Sequence, residues 1–562
     1  MAALDWIILI GTLAFIVIYG TWKTKGSKNI EGYFKGNNEM KWYTIGLSIM
    51  ATQASAITFL STPGQAFEDG MRFIQFYFGL PIAMVIISIT IIPIYYRLKV
   101  YTAYEYLENR FDYKTRLLAA FLFLVQRGLA AGITIYAPAI ILSSILGWNL
   151  NLTNIFIGLL VIIYTVAGGA DAVSKTQMQQ MLVILVGMTV AYIIIVYSLP
   201  ETVSFSNAVS IAGVMGKMNI VDFSLDFTTR YTFWSGITGG LFLAMSYFGT
   251  DQSQVQRYLS GKSLKESRLG LMFNGLLKIP MQFLILFTGV MVFVFYQFEQ
   301  SPLFFNEHLK QQVYETSYKD EMNAVERAHT ANFEYKRDQI NQYVSSLNNG
   351  DNATAAKAAQ NIKIAGKQEN ELRAEGRTII RKAFPEREVR DTDYIFISFI
   401  MKYLPTGVIG LLLAVIFCAA MSSTSGELNS LASTTVIDFY KRRINTNGSE
   451  KHYVVASRWF TVFWGAMAIL FATFASLVDN LIQAVNILGS IFYGTILGIF
   501  LVAFYIKKIN SQAVFIGALI SQIAVILLYL FSDIGFLWFN VIGCGMVIGL
   551  GLALSLFKLK NF

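Results

Sequence analysis

The sequence has little cysteine, little histidine and little charge. Its 2 cysteines, Cys418 and Cys544, lie in apolar runs and are too few for a disulfide framework or a zinc cluster. Its 3 histidines, His308, His329 and His452, lie far apart among polar neighbours and predict no metal site. Charged residues make up 14% of the 562 residues, against about 25% in soluble domains. Since so few charges cannot cover a water-exposed surface, a secreted disulfide-rich domain and a disordered chain are both excluded.

Apolar sequence is abundant instead, at 55% of the chain. A transmembrane helix needs about 20 mostly apolar residues. Thirteen segments meet this requirement, so we predict an all-α membrane protein with about thirteen transmembrane helices. The first segment lacks a basic leader and a small-residue cleavage site, and we expect a retained span rather than a signal peptide. Counted as span 0 to span 12, the segments are 4–22, 42–67, 73–96, 114–147, 151–167, 176–199, 232–257, 267–298, 407–440, 453–477, 480–505, 511–531 and 534–557.

Lysine and arginine concentrate in alternate connections between these spans. This asymmetry is the positive-inside pattern. It predicts a multi-pass protein of the cytoplasmic (plasma) membrane, with the N-terminus outside and the C-terminus in the cytoplasm. The net charge of +9 therefore reflects topology and does not indicate a nucleic-acid partner. The basic residues are Lys23, Lys25, Lys28, Lys35, Lys41, Arg97, Lys99, Arg110, Lys114, Arg116, Arg257, Lys262, Lys265, Arg268, Lys441, Arg442, Arg443, Lys451, Arg458, Lys507, Lys508, Lys558 and Lys560.

A long polar segment, residues 299–406, interrupts the spans on the predicted outer side. Residues 312–347 and 353–383 are rich in helix formers, and NNGD at 348–351 is a strong turn signal, so we predict an extracellular helical hairpin. It is either a solvated spacer or, over residues 312–383, a docking surface for an external protein partner. The predicted organisation is a first span with its loop (1–41), spans 1–7 (42–298), the insertion (299–406), spans 8–10 (407–510) and two peripheral spans (511–562).

Three spans carry clusters of small and polar residues: ATQASAIT at 51–58, SYFGTDQ at 246–252 and CAAMSSTSGELNS at 418–430. The first two clusters lie on spans 1 and 6, five apart. This is the spacing of the discontinuous helices in transporters built from two inverted five-helix repeats, the LeuT-like arrangement. Carbonyls of an unwound helix and nearby hydroxyls are the hard oxygen ligands that suit Na⁺. Ser and Ala also mediate ordinary packing between membrane helices, which is the alternative reading.

The sequence resembles the sodium/solute symporter family, which includes sodium/galactose, sialic acid, iodide and multivitamin symporters. The resemblance covers roughly residues 40–510. It implies an inverted-repeat core of spans 1–10 and sodium-driven inward transport by alternating access. The stretches that carry it are ATQASAITFLSTPGQAFEDG (51–70), YTAYEYLENRF (101–111), IYAPAIIL (135–142), YTVAGGADAV (164–173), DQSQVQRYLSGKS (251–263) and LPTGVIGLLLAVIFCAAMSSTSGELNS (404–430).

The resemblance also implies a sodium site between span 1 and span 8. The matching groups are the carbonyls of Ala51, Ala54 and Ala419 and the hydroxyls of Ser422 and Ser423.

Some relatives hold a second, deeper sodium with an acidic residue on span 5 and a run of hydroxyls on span 8. The span-5 motif reads Lys175, Thr176, Gln177 here, so a neutral amide replaces the acid, and Gly426 ends the hydroxyl run. Glu427 follows, but adjacent residues on a helix face different directions. We therefore predict one coupled sodium.

The implied solute pocket departs from that of the sugar-transporting relatives. Gln53, Thr58 and Tyr77 match pocket positions, whereas Leu80 and Ala244 stand where those relatives have an acid and an amide. Since a hydroxyl-rich solute needs several placed hydrogen-bonding groups, hexose recognition is not expected.

Two further pocket positions are implied by the resemblance. Tyr247 matches an aromatic that closes the pocket, and Lys278 matches a lysine that contacts the solute; helix packing and snorkelling or pairing within the bundle are the respective alternatives.

Arg127 and Lys278 are cations at predicted membrane depth. A buried cation needs a partner. Asp251 on span 6 could neutralise one of them. Alternatively, an anionic solute, most simply a carboxylate, neutralises the buried positive charge, since an arginine guanidinium can form two parallel hydrogen bonds with a carboxylate.

These features predict a sodium-coupled symporter that imports a small organic solute, with an anion or carboxylate as the expected class. No nucleophile–base pair, P-loop or nucleotide fingerprint is visible, so an enzyme is not expected. A sugar-type symporter and a transporter-like solute sensor remain open, and so does a pore, although a pore would need polar stripes on several spans.

Overall fold

The computed structural model describes residues 1–23, 32, 39–386, 389, 391–474 and 480–556. Within these ranges the protein is helical, and β-pairing is limited to an isolated bridge between Met40 and Gly261. The predicted loop residues Lys25, Lys28, Lys35, Lys558 and Lys560 lie outside the described ranges.

The first half of the chain forms α1 to α12. Short 3₁₀ (Gly70–Tyr77) and π-helical (Ile87–Ile91 and Ser235–Gly239) segments lie between some of them. The helices are α1 (Ala3–Lys23), α2 (Trp42–Gln53), α3 (Ala56–Asp69), α4 (Leu80–Ile86), α5 (Ile92–Leu98), α6 (Glu105–Arg110), α7 (Tyr113–Leu146), α8 (Leu150–Tyr197), α9 (Phe205–Val214), α10 (Gly240–Gly249), α11 (Gln252–Leu259) and α12 (Leu264–Phe295).

The second half begins with the insertion and ends with five long helices. A π-helical segment, Thr435–Ile444, extends α17. The helices are α13 (Glu307–Val313), α14 (Lys319–Asn348), α15 (Asn352–Ala383), α16 (Thr392–Tyr403), α17 (Val408–Thr434), α18 (Glu450–Phe474), α19 (Leu481–Tyr505), α20 (Ser511–Phe531) and α21 (Leu537–Leu556).

The described part of each of the thirteen predicted spans coincides with a helix, a helix pair or one arm of α8, and the ends of spans 9 (475–477) and 12 (557) lie outside the described ranges. Within the described ranges, nine helical stretches are long and apolar enough to cross a membrane, and three shorter apolar helices add to them. One predicted boundary is wrong: span 2 was expected from residue 73, but residues 70–77 form the 3₁₀ segment and the α-helix begins at Leu80. Gly70, with a φ of +72°, turns the chain at that point.

Helix α8 contains two predicted spans, 4 and 5, in one helical run of 48 residues. The Tyr164 hydroxyl hydrogen-bonds to the Thr176 hydroxyl. Twelve residues of straight helix would separate these two positions by about 18 Å, which no such pair can bridge. The run therefore bends sharply between Tyr164 and Thr176, and its two arms serve as separate spans.

Two helices are interrupted at membrane depth, one in each predicted repeat. Span 1 breaks between α2 and α3, and span 6 breaks between α10 and α11. Around these breaks α12 packs on α2 and α3, α17 packs on α2, α3, α7 and α8, and α19 packs on α7 and α10. The interrupted helices and the helices that surround them agree with the predicted inverted-repeat core.

The insertion contains two long antiparallel helices, α14 and α15, joined by residues 349–351. They pack along each other. The insertion meets the core at the end of α3. There the Thr392 hydroxyl donates to the Glu68 carboxylate at 2.7 Å, and Arg377 of α15 forms an ion pair with the same carboxylate at 3.8 Å. The insertion is therefore held against the end of the broken span 1.

Candidate functional site

The break in span 1 exposes backbone groups inside the bundle. Helix α2 ends at Gln53, and Ala54 leaves helical geometry with φ −87° and ψ 80°. The Ala54 N–H still bonds to the Met50 carbonyl at 2.7 Å, and α3 restarts after Ser55. Where a helix unwinds in this way, carbonyl oxygens lose their partners within the helix and become available to a ligand.

The residues of the predicted sodium site meet beside this break. The Ser422 hydroxyl on α17 donates to the Ala51 carbonyl at 3.0 Å, which joins α17 to the last turn of α2. Ser423 donates to the Ala419 carbonyl, one turn earlier on its own helix, at 2.9 Å. Ala54 lies at the break itself, three residues after Ala51, and is fully buried. The structure therefore brings the Ser422 hydroxyl and the Ala51 carbonyl together between two helices, and it pairs Ser423 with Ala419 within α17.

Gln177 on α8 occupies the position of the predicted missing acid. Its amide nitrogen donates to the Thr52 hydroxyl at 3.0 Å and to the Ser422 carbonyl at 2.9 Å. Its amide oxygen accepts from the Ser48 hydroxyl at 2.5 Å. The fully buried amide thus presents hydrogen-bond donors to the oxygens that a second cation would need.

A cavity of about 80 Å³ lies next to the break, between α3, α7, α10, α17 and α19. Five of the six predicted solute residues line it, and Lys278 does not. Polar residues of α7 and α19 also line it; the sequence analysis did not select them, although each stands out as a polar residue in an apolar run. The lining residues are Thr52, Gln53, Ser55, Ile57, Thr58, Phe76, Tyr77, Gln126, Arg127, Thr134, Leu243, Tyr247, Glu427, Ile482, Val485, Asn486, Gly489 and Tyr493.

Arg127 is at the centre of a buried ion cluster. One terminal nitrogen forms an ion pair with Asp251 and meets the Tyr493 hydroxyl at 2.5 Å, and the other meets Glu427 at 3.1 Å. The guanidinium also lies 5.3 Å from the centre of the Tyr247 ring. Of the two partners predicted for this cation, Asp251 or an anionic solute, the structure shows Asp251. It adds Glu427, which stands in the sequence only as a neighbour of the hydroxyl run.

Lys278 on α12 differs from both of its predicted structural roles. It is fully buried and therefore does not snorkel, and its ammonium has no hydrogen-bond partner among the described residues. The structure therefore shows neither of the two alternatives to solute binding, because α12 turns this side chain inward and Asp251 is engaged by Arg127. Solute contact by Lys278 stays a prediction. The Lys278 nitrogen lies 5.5 Å from the ring centre of Tyr77, a cavity residue.

Comparisons with known proteins agree with this architecture. Residues 33–311 and 378–521 match the sodium:solute symporter family. The sodium/iodide cotransporter of Homo sapiens is 26% identical over 88% of this chain, which spans 64% of that protein's length. Sodium-coupled monocarboxylate transporter 1 of Mus musculus is 28% identical over 94% of this chain and 73% of its own. The sodium/sialic acid symporter SiaT of Proteus mirabilis is 26% identical over 97% of this chain and 93% of its own.

A solved structure shares the fold. A Na⁺-coupled sialic acid symporter in a substrate-bound outward-open state superposes with a TM-score of 0.76 at 24% identity, over 99% of this chain and 98% of that one. The predicted fold class, an all-α membrane protein with a LeuT-like inverted repeat, is confirmed. Since the family match covers most of its length, the chain belongs to the sodium:solute symporter family, whose members carry a small solute across a membrane together with Na⁺.

Proposed function

We propose that this protein imports a small organic anion, most simply a carboxylate, by sodium-driven alternating access across the plasma membrane. The observation that carries the proposal is the position of Arg127. Its guanidinium lines the cavity, and its Nε has no hydrogen-bond partner among the described residues. A guanidinium N–H at a buried site is a strong donor for a carboxylate.

The size and lining of the cavity support a small solute. At about 10–15 Å³ for each water-sized group, this cavity holds about five to eight such groups. Leu80 and Ala244 are absent from its lining, so the positions where sugar-transporting relatives have polar groups contribute no donor or acceptor here. The names of the iodide and monocarboxylate relatives also point to anions. These features favour a short carboxylate over a sugar.

The sodium ion is proposed to bind between α2 and α17. Its ligands are the carbonyls of Ala51, Ala54 and Ala419 and the hydroxyls of Ser422 and Ser423. The proposal is supported by the Ser422–Ala51 and Ser423–Ala419 bonds, since they place these four oxygens in two close pairs. Binding of Na⁺ would replace hydroxyl-to-carbonyl bonds by ligation and draw the break of span 1 onto α17. In this way the break of span 1 would belong to both the sodium site and the solute cavity.

The test is transport by the purified full chain in proteoliposomes. A panel of acetate, propanoate, pyruvate, nicotinate, glucose and galactose is offered with an inward Na⁺ gradient or with K⁺ in its place. We expect Na⁺-dependent accumulation of at least one carboxylate and of neither sugar. Uptake of sugars alone would overturn the anion proposal.

Counterflow on the same vesicles separates a transporter from the other two classes. Vesicles preloaded with the unlabelled carboxylate should take up labelled carboxylate faster than empty ones. Neither a pore nor a sensor gives this trans-stimulated exchange, so its absence would favour those alternatives.

A further inference from the structure

Glu427 is a buried carboxylate in the wall of the solute cavity. It lies on α17 one turn after Ser423 and is 5% exposed. One oxygen, Oε1, accepts from Arg127 at 3.1 Å. The other, Oε2, has no hydrogen-bond partner among the described residues. The nearby Thr134 hydroxyl, which also lines the cavity and interacts with this carboxyl group, donates to the Ala130 carbonyl at 3.0 Å.

The neighbouring charges do not balance this carboxylate. Asp251 shares Arg127 and also accepts from Tyr493 at 2.8 Å and from the Ser253 hydroxyl at 2.6 Å, so it is well satisfied. Two carboxylates thus share one guanidinium. Lys278 forms no ion pair with either carboxylate in the described structure. When both carboxylates are ionised, the cluster carries one excess negative charge at membrane depth, which is costly.

The other titratable groups facing Glu427 are already engaged. The Tyr493 hydroxyl accepts from Arg127 and donates to Asp251. The Tyr247 hydroxyl accepts from the Gln254 amide at 2.6 Å. Among the ionisable groups of the cluster, Glu427 is therefore the one whose carboxylate has an oxygen without a hydrogen-bond partner in the described structure, and this residue lines the cavity. A bound anion would lie beside the excess negative charge of this cluster and be repelled by it.

We propose that Oε2 of Glu427 is a proton-binding site, and that one proton crosses the membrane with each organic anion and its sodium ion; the transport part of this inference rests on the proposed function. The proton adds to Oε2 from the outer solution as the solute binds. It removes the excess charge and turns Oε2 into a donor. After the solute leaves on the inner side, the proton dissociates to the cytoplasm and the carboxylate re-forms. One Na⁺, one proton and one monovalent anion carry one net positive charge per cycle.

The first experiment needs no solute. Infrared spectra of the purified full chain are recorded in NaCl between about pH 5 and pH 9, the range over which buried carboxyl groups titrate. We expect the C=O absorption of protonated carboxylic acids to grow as the pH falls, with one component that comes from Glu427. This component should be absent from Glu427→Gln and present, with a shifted midpoint, in Glu427→Asp.

The matched control is Glu108→Gln. Glu108 is bound by Arg116 at 2.7 Å and Arg442 at 2.7 Å, away from the cavity, and its loss should leave the titrating band in place. Identical spectra for the wild type and Glu427→Gln, with Glu427→Asp also unchanged, would overturn the proton site. Because this measurement uses Na⁺ alone, its result does not depend on which solute is transported.

The second experiment measures charge and protons during uptake of the carboxylates in the panel above. We expect an inward current and alkalinisation of the outer medium, corrected for protein-free liposomes. Uptake should rise up to about tenfold per unit fall in external pH, the slope for one titrating group. Glu427→Gln should transport without current and without this pH dependence, while its sodium dependence remains.

Electroneutral uptake by the wild type would overturn the proton coupling. An inward current with a stoichiometry of two sodium ions per solute, and no change in the pH of the medium, would assign the extra charge to Na⁺. If no carboxylate is taken up, the proposed function fails and the infrared result still decides the proton site.

Discussion

Substitution of Ser423 gives the most direct test of the proposed sodium site. Its hydroxyl is buried and donates to the Ala419 carbonyl, so both groups already face one another. Replacing Ser423 by Ala removes a ligating oxygen and leaves the carbonyl without its donor. Loss of a buried polar partner costs about 1–3 kcal/mol, which corresponds to a loss of apparent sodium affinity between about fivefold and about hundredfold. We expect sodium-dependent uptake to fall accordingly while the protein still inserts and folds.

The control for this variant is Ser433→Ala. Ser433 lies on the same helix, is equally buried and donates to the Ser430 carbonyl at 2.9 Å, but it does not line the cavity. It should keep the wild-type sodium dependence. An unchanged apparent sodium affinity in Ser423→Ala would show that this hydroxyl is not a ligand.

Arg127 combines a structural and a proposed binding role, and two variants separate them. Arg127→Gln leaves Asp251 and Glu427 without their shared cation, and breaking such a buried cluster costs about 3–5 kcal/mol. We expect a clear drop in the thermal unfolding temperature and loss of carboxylate uptake. In Arg127→Gln/Glu427→Gln one repelling charge is removed, so stability should recover in part while carboxylate uptake stays absent. Carboxylate uptake at the wild-type level in either variant would refute the binding role.

At the scale of elements, the insertion hairpin has its own buried ion pair. Glu369 on α15 pairs with the Lys336 ammonium on α14, and His329 lies 3.8 Å from the same carboxylate. Burial alone would raise the pKa of Glu369, but the Lys336 charge and the His329 ring outweigh it and hold that pKa well below its usual range. This contribution to stability is present at neutral pH. It is lost as the pH falls below about 4, the usual range of glutamate, toward the lowered pKa.

Glu369→Gln should therefore loosen the hairpin at neutral pH. We expect a loss of about 3 kcal/mol, the lower end for a broken buried pair, seen as about hundredfold faster amide hydrogen exchange over residues 319–383. In the wild type, acidification should produce the same change. Glu371→Gln is the matched control. Glu371 lies 3.9 Å from Lys367, both side chains are mostly exposed, and such exposed ion pairs contribute little to stability. Equal exchange in the two variants would show that the buried pair does not hold α14 to α15.

At the scale of the whole molecule, Gln177 bears on how many sodium ions drive a cycle. Its amide is fully bonded to α2 and α17 and adds no negative charge to offset the dehydration of a second cation. We expect uptake to depend on sodium with a Hill coefficient of about one. Gln177→Glu should raise that coefficient, since it restores a carboxylate among the same oxygens. A wild-type coefficient near two, with a reversal potential set by two sodium ions, would show that the neutral site still binds Na⁺.

The orientation of the whole chain can be tested through its exposed loops. Both native cysteines are buried, so an introduced cysteine would be the reactive one. We expect a membrane-impermeant maleimide to label Lys357→Cys, on the insertion, in intact cells. Lys508→Cys, between α19 and α20, should be labelled only after the cells have been permeabilised. The reverse pattern would invert the proposed topology.

The sequence by itself determined the properties that depend on local pattern. Hydropathy located the spans, and the Asn-Asn-Gly-Asp turn between two stretches of helix formers matches the gap between α14 and α15. The small polar cluster at 51–58 located the break at Ala54. These properties could be predicted because each depends on residues that are neighbours in the chain or one helical turn apart. The boundary near Gly70 was missed because the mostly aromatic and aliphatic residues 73–78 continue into the apolar run of α4, so that hydropathy does not separate the 3₁₀ segment from the helix.

The tertiary structure decided which charges meet. Arg127 and Glu427 are 300 residues apart, and α7 and α17 bring them together; Asp251 joins them from the start of α11. The same packing isolates Lys278 and gives Gln177 its three hydrogen bonds. The charge of a side chain is known from the sequence, but its partners depend on the rotation and crossing angles of the long helices. For that reason the sequence could identify Arg127 and Lys278 as cations at membrane depth. The fold alone could show that Arg127 has two carboxylate partners and that Lys278 has none among the residues that the structure describes.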